Sequence, residues 1–177
     1  MPRYISILRG INIGGKRKLL MTDLKQLYRE FGFDNVVSYI QSGNLIFTCN
    51  VTNTSFIENS IAKAILERFG YNVPVLVFSS VEWKRMTSEN PFSTHDINKL
   101  HVSLLKDLPT EYDVEVFKSK YFTPDLYHLN GQYIYIKCDG KYHQSKLSNT
   151  AIERHLKVEA TTRNWKTAIK ISELLNE

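Results

Sequence analysis

The chain opens with an apolar run, then a polar and glycine-rich segment, and then an amphipathic pattern. The apolar run, Tyr4–Leu8, is rich in β-branched and aromatic residues, which predicts a buried strand. Apolar residues then recur at helical spacing from Met21 to Phe31, and Gly32 supplies a stop signal. The pattern therefore predicts a strand, a loop and a helix.

The next segment alternates in a way that is typical of a hairpin. Val36–Ile40 and Leu45–Thr48 flank the string QSGN, whose turn requires Gly43 or Asn44 at positive φ. This hairpin supplies the second and third predicted strands.

A second helix and a fourth strand complete the first half. Ser55 and Glu58 have the spacing of a capping box before a helical apolar pattern, and Gly70 ends that helix. Val73–Phe78 follows as a strand. The order β-α-β-β-α-β predicts a split βαβ, or ferredoxin-like, unit.

Beyond this point the pattern partly repeats. Ser79 and Glu82 form a second predicted capping box, which opens a short helix ending at Asn90–Pro91. We then predict a strand at Leu100–Leu105 and a hairpin formed by Tyr127–Leu129 and Tyr133–Cys138. A helix at Ala151–Leu156, a short strand at Val158–Thr161 and a last helix at Arg163–Leu175 are predicted to follow. The segment Glu111–Tyr121 is ambiguous, because its alternation indicates a strand whereas the repeat requires a helix.

The predicted fold class is therefore α+β, with two tandem ferredoxin-like (split βαβ, α/β-plait) subdomains and mainly antiparallel sheets. The first subdomain covers 1–79, a helical linker covers 80–98, and the second subdomain with an extra C-terminal helix covers 99–177.

This topology brings distant polar segments together. A right-handed crossover makes the first two strands of each unit run the same way, so Arg9–Lys18 is expected beside Gln41–Asn44. By the same argument His143–Ser148 and Thr161–Trp165 are expected at one sheet edge of the second unit. If the two polar ends face each other, they form one cleft.

Several strings identify a family resemblance. YISILRGINIGGKRKLLM, YIQSGNLIF, ENPF, SKLS and TTRNWKT, in this order, resemble the bacterial family called domain of unknown function 1697. The resemblance runs essentially from end to end and implies two α/β-plait subdomains, but no reaction. In one place the chain departs from the family, which often has a glycine-rich stretch similar to GIGRSKLT. Here Gly140–Ser148 reads GKYHQSKLS, so close backbone approach to a ligand is less strongly implied.

Composition favours a globular protein that attracts anions. The hydrophobic fraction is 42% and the formal net charge is +5, which together argue against disorder. Residues 1–30 hold seven Lys and Arg against two acidic residues, so the local field favours phosphates, carboxylates or a nucleic-acid backbone. Cys49 and Cys138 predict two buried thiols in a reducing compartment. No signal peptide or membrane span is recognised, so the prediction is a cytoplasmic protein.

The string RGINIGGKRK is the first candidate site. Gly10–Lys16 fits GxxxxGK, but a P-loop requires Ser or Thr where Arg17 stands and an immediate helix, so a true P-loop is disfavoured. Two interpretations stay open. Consecutive glycine amides and flanking cations can hold an anion, or the glycines serve only the strand-to-helix turn.

TTRNW and SKLS supply further candidates. Thr162 is predicted as an N-cap, which places Arg163 and Asn164 in the first turn of a helix. Arginine there opposes the helix dipole, so an anion on that helix start is one explanation and an interior ion pair is the other. Lys146, after Ser145, has similar geometry. QSGN is first of all a turn, although Gln41 and Asn44 offer hydrogen-bonding groups.

The five histidines lack metal-ligand spacing, and no GxSxG or HExxH string occurs, so neither metal nor cofactor is predicted. The leading hypothesis is that the protein binds a phosphate-bearing small molecule or nucleic acid in a basic cleft between the two subdomains. The ligand-binding residues predicted are Arg9, Asn12, Gly14, Gly15, Lys16, Gln41, Asn44, Lys146, Arg163 and Asn164. Two alternatives are a hydrolytic or group-transfer enzyme that uses His143 or Asp139, and a protein-interaction module with 121–136 as its contact surface. Oligomeric state and ligand identity are left open.

Overall fold

The computed structural model describes residues 1–176. Over these residues the chain is α+β, with two four-stranded antiparallel sheets and six α-helices. It divides into two compact units. The first unit contains Met1–Arg85 and the residues from Ile171 onward, and the second contains Met86–Lys170.

The first unit is built on one sheet with helices between its strands. Its elements are β1 (Arg3–Leu8), α1 (Met21–Glu30), β2 (Asp34–Tyr39), β3 (Asn44–Thr48), α2 (Thr54–Phe69), β4 (Val75–Ser79) and the first part of α3 (Ser80–Ser88). The strand order is β2-β3-β1-β4, and every neighbouring pair is antiparallel. The element order predicted for this half is confirmed.

Aromatic rings fill the centre of the first unit. The Phe47 ring lies 4.7 Å from that of Phe33, 5.4 Å from that of Tyr28 and 5.8 Å from that of Tyr4, measured between centroids. The Tyr28 hydroxyl is buried with them and lies 2.7 Å from the Ser6 hydroxyl on β1. This bond satisfies the polar ends of both side chains, which would otherwise be costly to bury.

The C-terminal segment also contributes to the first unit. The Arg3 guanidinium donates to the backbone carbonyls of Leu174 at 3.2 Å and Leu175 at 3.4 Å. Arg3 begins β1, so the two ends of the described chain meet in one unit.

The second unit repeats the order. Its elements are β5 (Leu100–Leu105), α4 (Glu111–Lys118), β6 (Leu126–Asn130), β7 (Tyr133–Lys137), α5 (Asn149–Leu156), β8 (Ala160–Asn164) and the first part of α6 (Trp165–Asn176), with short 3-10 helices at Ile97–Lys99 and Tyr142–Gln144. The strand order is β6-β7-β5-β8, again antiparallel throughout. Its core includes Phe117, Leu147 and Ile152.

Most of the ambiguous segment 111–121 is helical, because α4 covers Glu111–Lys118. Thr110 caps α4, because its side-chain oxygen accepts from the backbone N–H of Asp113 at 3.1 Å. Phe117 packs inward in the core. The strand-like alternation is therefore misleading, because residues two positions apart lie on different sides of this helix.

Two capping predictions had opposite outcomes. Ser79 and Glu82 form the predicted box, with Glu82 accepting from the Ser79 backbone N–H at 2.7 Å. The box at Ser55 was wrong. Asn53 caps α2, accepting from the Phe56 backbone N–H at 3.0 Å. Glu58 instead accepts from the backbone N–H of Val77 on β4 at 2.8 Å.

The protonation of Cys138 links stability to alkaline pH. Burial, assisted by the negative charge of Asp125, raises the pKa of this thiol from 9.0 to about 11. The unfolded chain therefore loses the proton first, so this contribution to stability is complete below pH 9.0 and is lost as the pH rises to about 11. Chemical denaturation at pH 9.0 and at about pH 11 measures how much the free energy of unfolding falls between them. The fall should be smaller for Cys138→Ala than for the unaltered chain. Equal losses would contradict the assignment.

Candidate functional site

The basic loop, defined as Arg9–Lys18, joins β1 to the segment before α1 and has an unusual backbone. The φ angles in the left-handed region are 70° at Gly10, 56° at Asn12, 59° at Gly14, 74° at Gly15 and 47° at Arg17. Two of these residues, Asn12 and Arg17, are not glycine. A left-handed backbone conformation costs a residue with a side chain about 1–3 kcal/mol, so it persists only where the surrounding structure holds it. The loop is therefore held in a defined shape.

A tight turn explains the paired glycines. The Lys16 backbone N–H donates to the Ile13 carbonyl at 3.0 Å, and Asn12 N–H donates to the Arg17 carbonyl at 3.1 Å. A turn with both central residues at positive φ is type I′, which Gly14 and Gly15 adopt without strain. The helix begins only later, at Met21, so the loop lacks the immediate helix of a P-loop.

Asn12 fastens the basic loop to the β2–β3 hairpin. Its Nδ2 donates to the carbonyls of Leu19 and Gln41, both at 2.9 Å, and its Oδ1 accepts from the Leu19 N–H at 2.8 Å. The Leu8 N–H also donates to the Gly43 carbonyl at 2.8 Å. The predicted meeting of the loop with 41–44 is confirmed, and Asn12 has a positioning role.

A hollow of about 430 Å³ lies where these segments meet the start of α1, and we call it the α1 hollow. Its described lining consists of Asn12, Gly15, Lys18, Leu19, Leu20, Met21, Thr22 and Gln41. Leu20 occupies the N-cap position, with no side-chain hydrogen bond to the helix. Within residues 1–176, the backbone N–H groups of Met21 and Thr22 have no acceptor. The hollow thus combines a cation with uncapped helix amides.

The remaining candidates of the first unit differ in accessibility. Lys16 and Gly14 are exposed at the tip of the basic loop, outside the described lining of the α1 hollow. Arg9 is partly buried, and its backbone N–H donates to the Pro74 carbonyl at 3.0 Å. Asn44 is fully buried, and its Nδ2 donates to the Tyr39 carbonyl and the Ser42 hydroxyl. The Asn44 amide therefore shapes the hairpin turn.

The predicted positions of Arg163 and Asn164 in a helix were wrong. Both belong to β8, which pairs with β5 so that Thr162 lies opposite Ser103. Asn164 is the residue that caps α6, accepting from the Thr167 N–H at 2.8 Å. The expected short strand Val158–Thr161 is accordingly shifted to Ala160–Asn164. Thr162 is inside a strand and caps nothing.

Arg163 is engaged inside the second unit. Its guanidinium donates to the Thr161 hydroxyl and to the Thr162 carbonyl, both at 3.1 Å. Burial lowers the pKa of this guanidinium to about 10. The opposition to a helix dipole, which motivated Arg163 as an anion ligand, does not exist, because the residue is not on a helix.

The predicted shared edge of the second unit is confirmed. Lys137 at the end of β7 and Asn164 at the end of β8 lie opposite Leu100 and His101 of β5. The Thr162 hydroxyl donates to Asn149 Oδ1 at the start of α5, at 2.6 Å. Lys146 lies just before α5 and is exposed.

The two acid–base candidates lie on the surface. His143 is exposed in the 3-10 helix Tyr142–Gln144. Asp139 is exposed as well, and its backbone N–H donates to the carboxylate of Asp125 at 2.8 Å. In the part of the chain that the structure describes, no group of three or more His, Cys, Asp or Glu side chains could hold a metal ion.

Comparison with known proteins decides the family. The sequence model of the family described as "Protein of unknown function (DUF1697)" matches residues 1–135. The chain belongs to this family. The solved structure of conserved bacterial protein SP0830 from Streptococcus pneumoniae is 22% identical, with 98% of each chain covered and a TM-score of 0.76. At that identity the likeness shows the fold alone. No curated protein matches the chain.

Sequence reasoning missed one basic region of this DUF1697 protein. Lys120, Arg154 and His155 line a hollow of about 450 Å³ in the second unit, together with Lys146. These residues come from separate segments, so their charges did not form a run in the sequence. The sequence offered only a partial signal, the i, i+3, i+4 spacing that places Ala151, Arg154 and His155 together on α5.

No helix within residues 1–176 of this DUF1697 protein is long and apolar enough to cross a membrane. Cys49 and Cys138 are free and buried, as the sequence predicted.

Proposed function

We propose that the first unit binds a phosphate-bearing small molecule, such as a nucleotide, in the α1 hollow. The observation that carries the proposal is the convergence of Lys18, Gln41 and the uncapped start of α1 on one hollow. The proposed site is smaller than the one expected from the sequence. Asn12 and Asn44 support the backbone around the α1 hollow, and Gly15 borders it.

The start of α1 is suited to an anion. Ser, Thr, Asp or Asn at the N-cap normally satisfies one free N–H of the first turn, and Leu20 cannot do so. The N-terminal end of a helix also carries a partial positive charge. A phosphate oxygen could accept from the N–H groups of Met21 and Thr22 in place of a capping side chain.

The lining favours binding over catalysis. The described lining of the α1 hollow contains one cation, Lys18, and two side-chain amides, those of Asn12 and Gln41. The Asn12 amide is already hydrogen-bonded to the backbone, which leaves that of Gln41 for a ligand. None of the described lining residues has a carboxylate or an imidazole. General acid–base chemistry would need such a group within hydrogen-bond reach of the ligand. Simple binding is therefore the function that the geometry supports best.

Isothermal titration with pyrophosphate and with ATP tests the proposal. A charge-assisted hydrogen bond contributes about 1.5–3 kcal/mol, so Lys18→Ala should raise Kd about 10- to 150-fold. Gln41→Ala removes a neutral partner and should raise Kd about 2- to 10-fold. Lys63→Ala is the matched control, because Lys63 is an exposed lysine of α2 paired with Glu67. Unchanged Kd in both hollow variants would refute the proposal.

Two wider inferences belong to the same proposal. The strand orders β2-β3-β1-β4 and β6-β7-β5-β8 support an assignment of both units as ferredoxin-like α/β plaits. The two free, buried cysteines support a reducing compartment, the cytoplasm.

A further inference from the structure

The second unit has a basic groove, which we define as two adjoining hollows that share Ser145 and Lys146. The larger hollow, of about 450 Å³, adds Lys120 and Arg154 to the shared pair. The smaller one, of about 240 Å³, adds Lys141. The smaller hollow is also lined by Asp125 and Asp139, so the excess of positive charge lies in the larger hollow, whose described lining contains no carboxylate.

The cations of the larger hollow are not neutralised by carboxylates. Within residues 1–176, Lys120, Lys146 and Arg154 form no ion pair with Asp or Glu. Two acidic side chains of the flanking helices have other partners. Glu115 on α4 pairs with Lys118 at 3.0 Å, and Glu153 on α5 accepts from the Ala160 N–H at 2.8 Å.

The pKa of the His155 imidazole is affected by the same group of cations. Desolvation lowers the pKa of its imidazole, and the charges of Arg154, Lys120 and Lys157 lower it further. These cations come from α5, from the segment after α4 and from the residue that ends α5. Lys120 and Arg154 also line the same hollow as this imidazole, so the geometry places these two cations close to one another.

An exposed aromatic side chain stands beside the cations. Tyr121 lines the larger hollow and is 86% exposed, whereas its neighbour Phe122 is buried. A large exposed ring next to unpaired cations offers a surface on which a nucleic-acid base can stack.

We propose that the basic groove binds single-stranded nucleic acid, with phosphates on Lys120, Lys146 and Arg154 and a base on Tyr121. Three cations from separate segments and an exposed ring around one hollow favour a polymer, which offers several phosphates and a base, over a single compact anion. Stacking on a ring and binding through the phosphate backbone are sequence-tolerant, so the binding should depend weakly on base sequence. The inference is independent of the α1 hollow, because it uses other residues in the other unit.

Fluorescence anisotropy with a labelled oligouridylate of about twelve nucleotides tests this inference. Lys146→Ala and Arg154→Ala should each weaken binding. Each should also reduce the slope of log K against log salt by about 0.7 for every phosphate that the variant no longer neutralises, measured between about 50 and 200 mM salt. Tyr121→Ala should weaken binding about 5- to 150-fold with the salt slope unchanged.

Matched controls separate the groove from the rest of the surface. Tyr112→Ala removes a tyrosine on α4 that is 76% exposed and does not line the groove, so affinity should not change. Lys18→Ala should weaken the binding of pyrophosphate but leave the affinity for the oligouridylate unchanged. Millimolar inorganic phosphate should compete no better than sulfate.

Three outcomes would overturn the inference. The first is no oligouridylate binding at low salt. The second is equal affinity in the groove variants and the unaltered chain. The third is displacement of the strand by inorganic phosphate at the concentration at which phosphate itself binds, which would identify a site for the free anion instead.

Discussion

Replacing Gly43 by alanine should lower the free energy of unfolding by about 2–5 kcal/mol. Gly43 has a φ of 81°, where an L side chain costs about 1–2 kcal/mol. The new Cβ would also lie 2.7 Å from Leu8 Cβ and 2.9 Å from Ile11 Cδ1. The first of these atoms is fixed to the backbone of β1, so relief requires the strand and hairpin to separate. Overpacking of this kind adds about 1–3 kcal/mol.

Gly32→Ala is the matched control for this change. Gly32 has a similar φ of 76°, but a Cβ there would meet no atom within 4 Å. Only the conformational cost remains, so we expect a loss of about 1–2 kcal/mol. Urea denaturation of the two variants measures the difference. Equal losses would show that the close approach of the hairpin to Leu8 and Ile11 is unimportant.

Replacing Phe47 by alanine should cost about 3–5 kcal/mol of unfolding free energy. Phe47 is fully buried on β3, and its ring packs against those of Phe33, Tyr28 and Tyr4. Truncation removes this packing and leaves a cavity that strands paired on both sides of β3 cannot close. Denaturant unfolding followed by circular dichroism measures the loss.

Phe56→Ala provides the comparison of equal chemistry. Phe56 lies on α2 with 62% of its surface exposed. A surface substitution of this type changes stability by about 0.5 kcal/mol or less. If Phe56→Ala were as costly as Phe47→Ala, the described core of the first unit would be incorrect.

Local periodicity predicted most of the fold, and its failures have tertiary causes. Thr161 and Thr162 are typical helix caps, but pairing with β5 extends β8 through them and delays the helix to Trp165. Glu58 has the spacing for a capping box, yet it is recruited by the free N–H of Val77 on β4. Both interactions join residues far apart in sequence, which no window of sequence can reveal.

The candidate site was predictable in position but not in composition. Strand direction placed the basic loop beside 41–44, as observed. The contribution of Lys18 and of the α1 start could not be derived, because Leu20 breaks the usual capping preference and the periodicity does not mark it. The basic groove could not be predicted from the sequence for another reason. Lys120 and Arg154 come together only through the packing of the α4 and α5 regions.

The bonds from Arg3 to Leu174 and Leu175 bear on the order of events during synthesis. Arg3 leaves the ribosome well before these partners, which follow only after all of the second unit has emerged. The Arg3 guanidinium therefore cannot form these two hydrogen bonds until a late segment of the polypeptide has been synthesised. Completion of the first unit comes after synthesis of the second, even though nearly all of the residues of the first unit are made earlier.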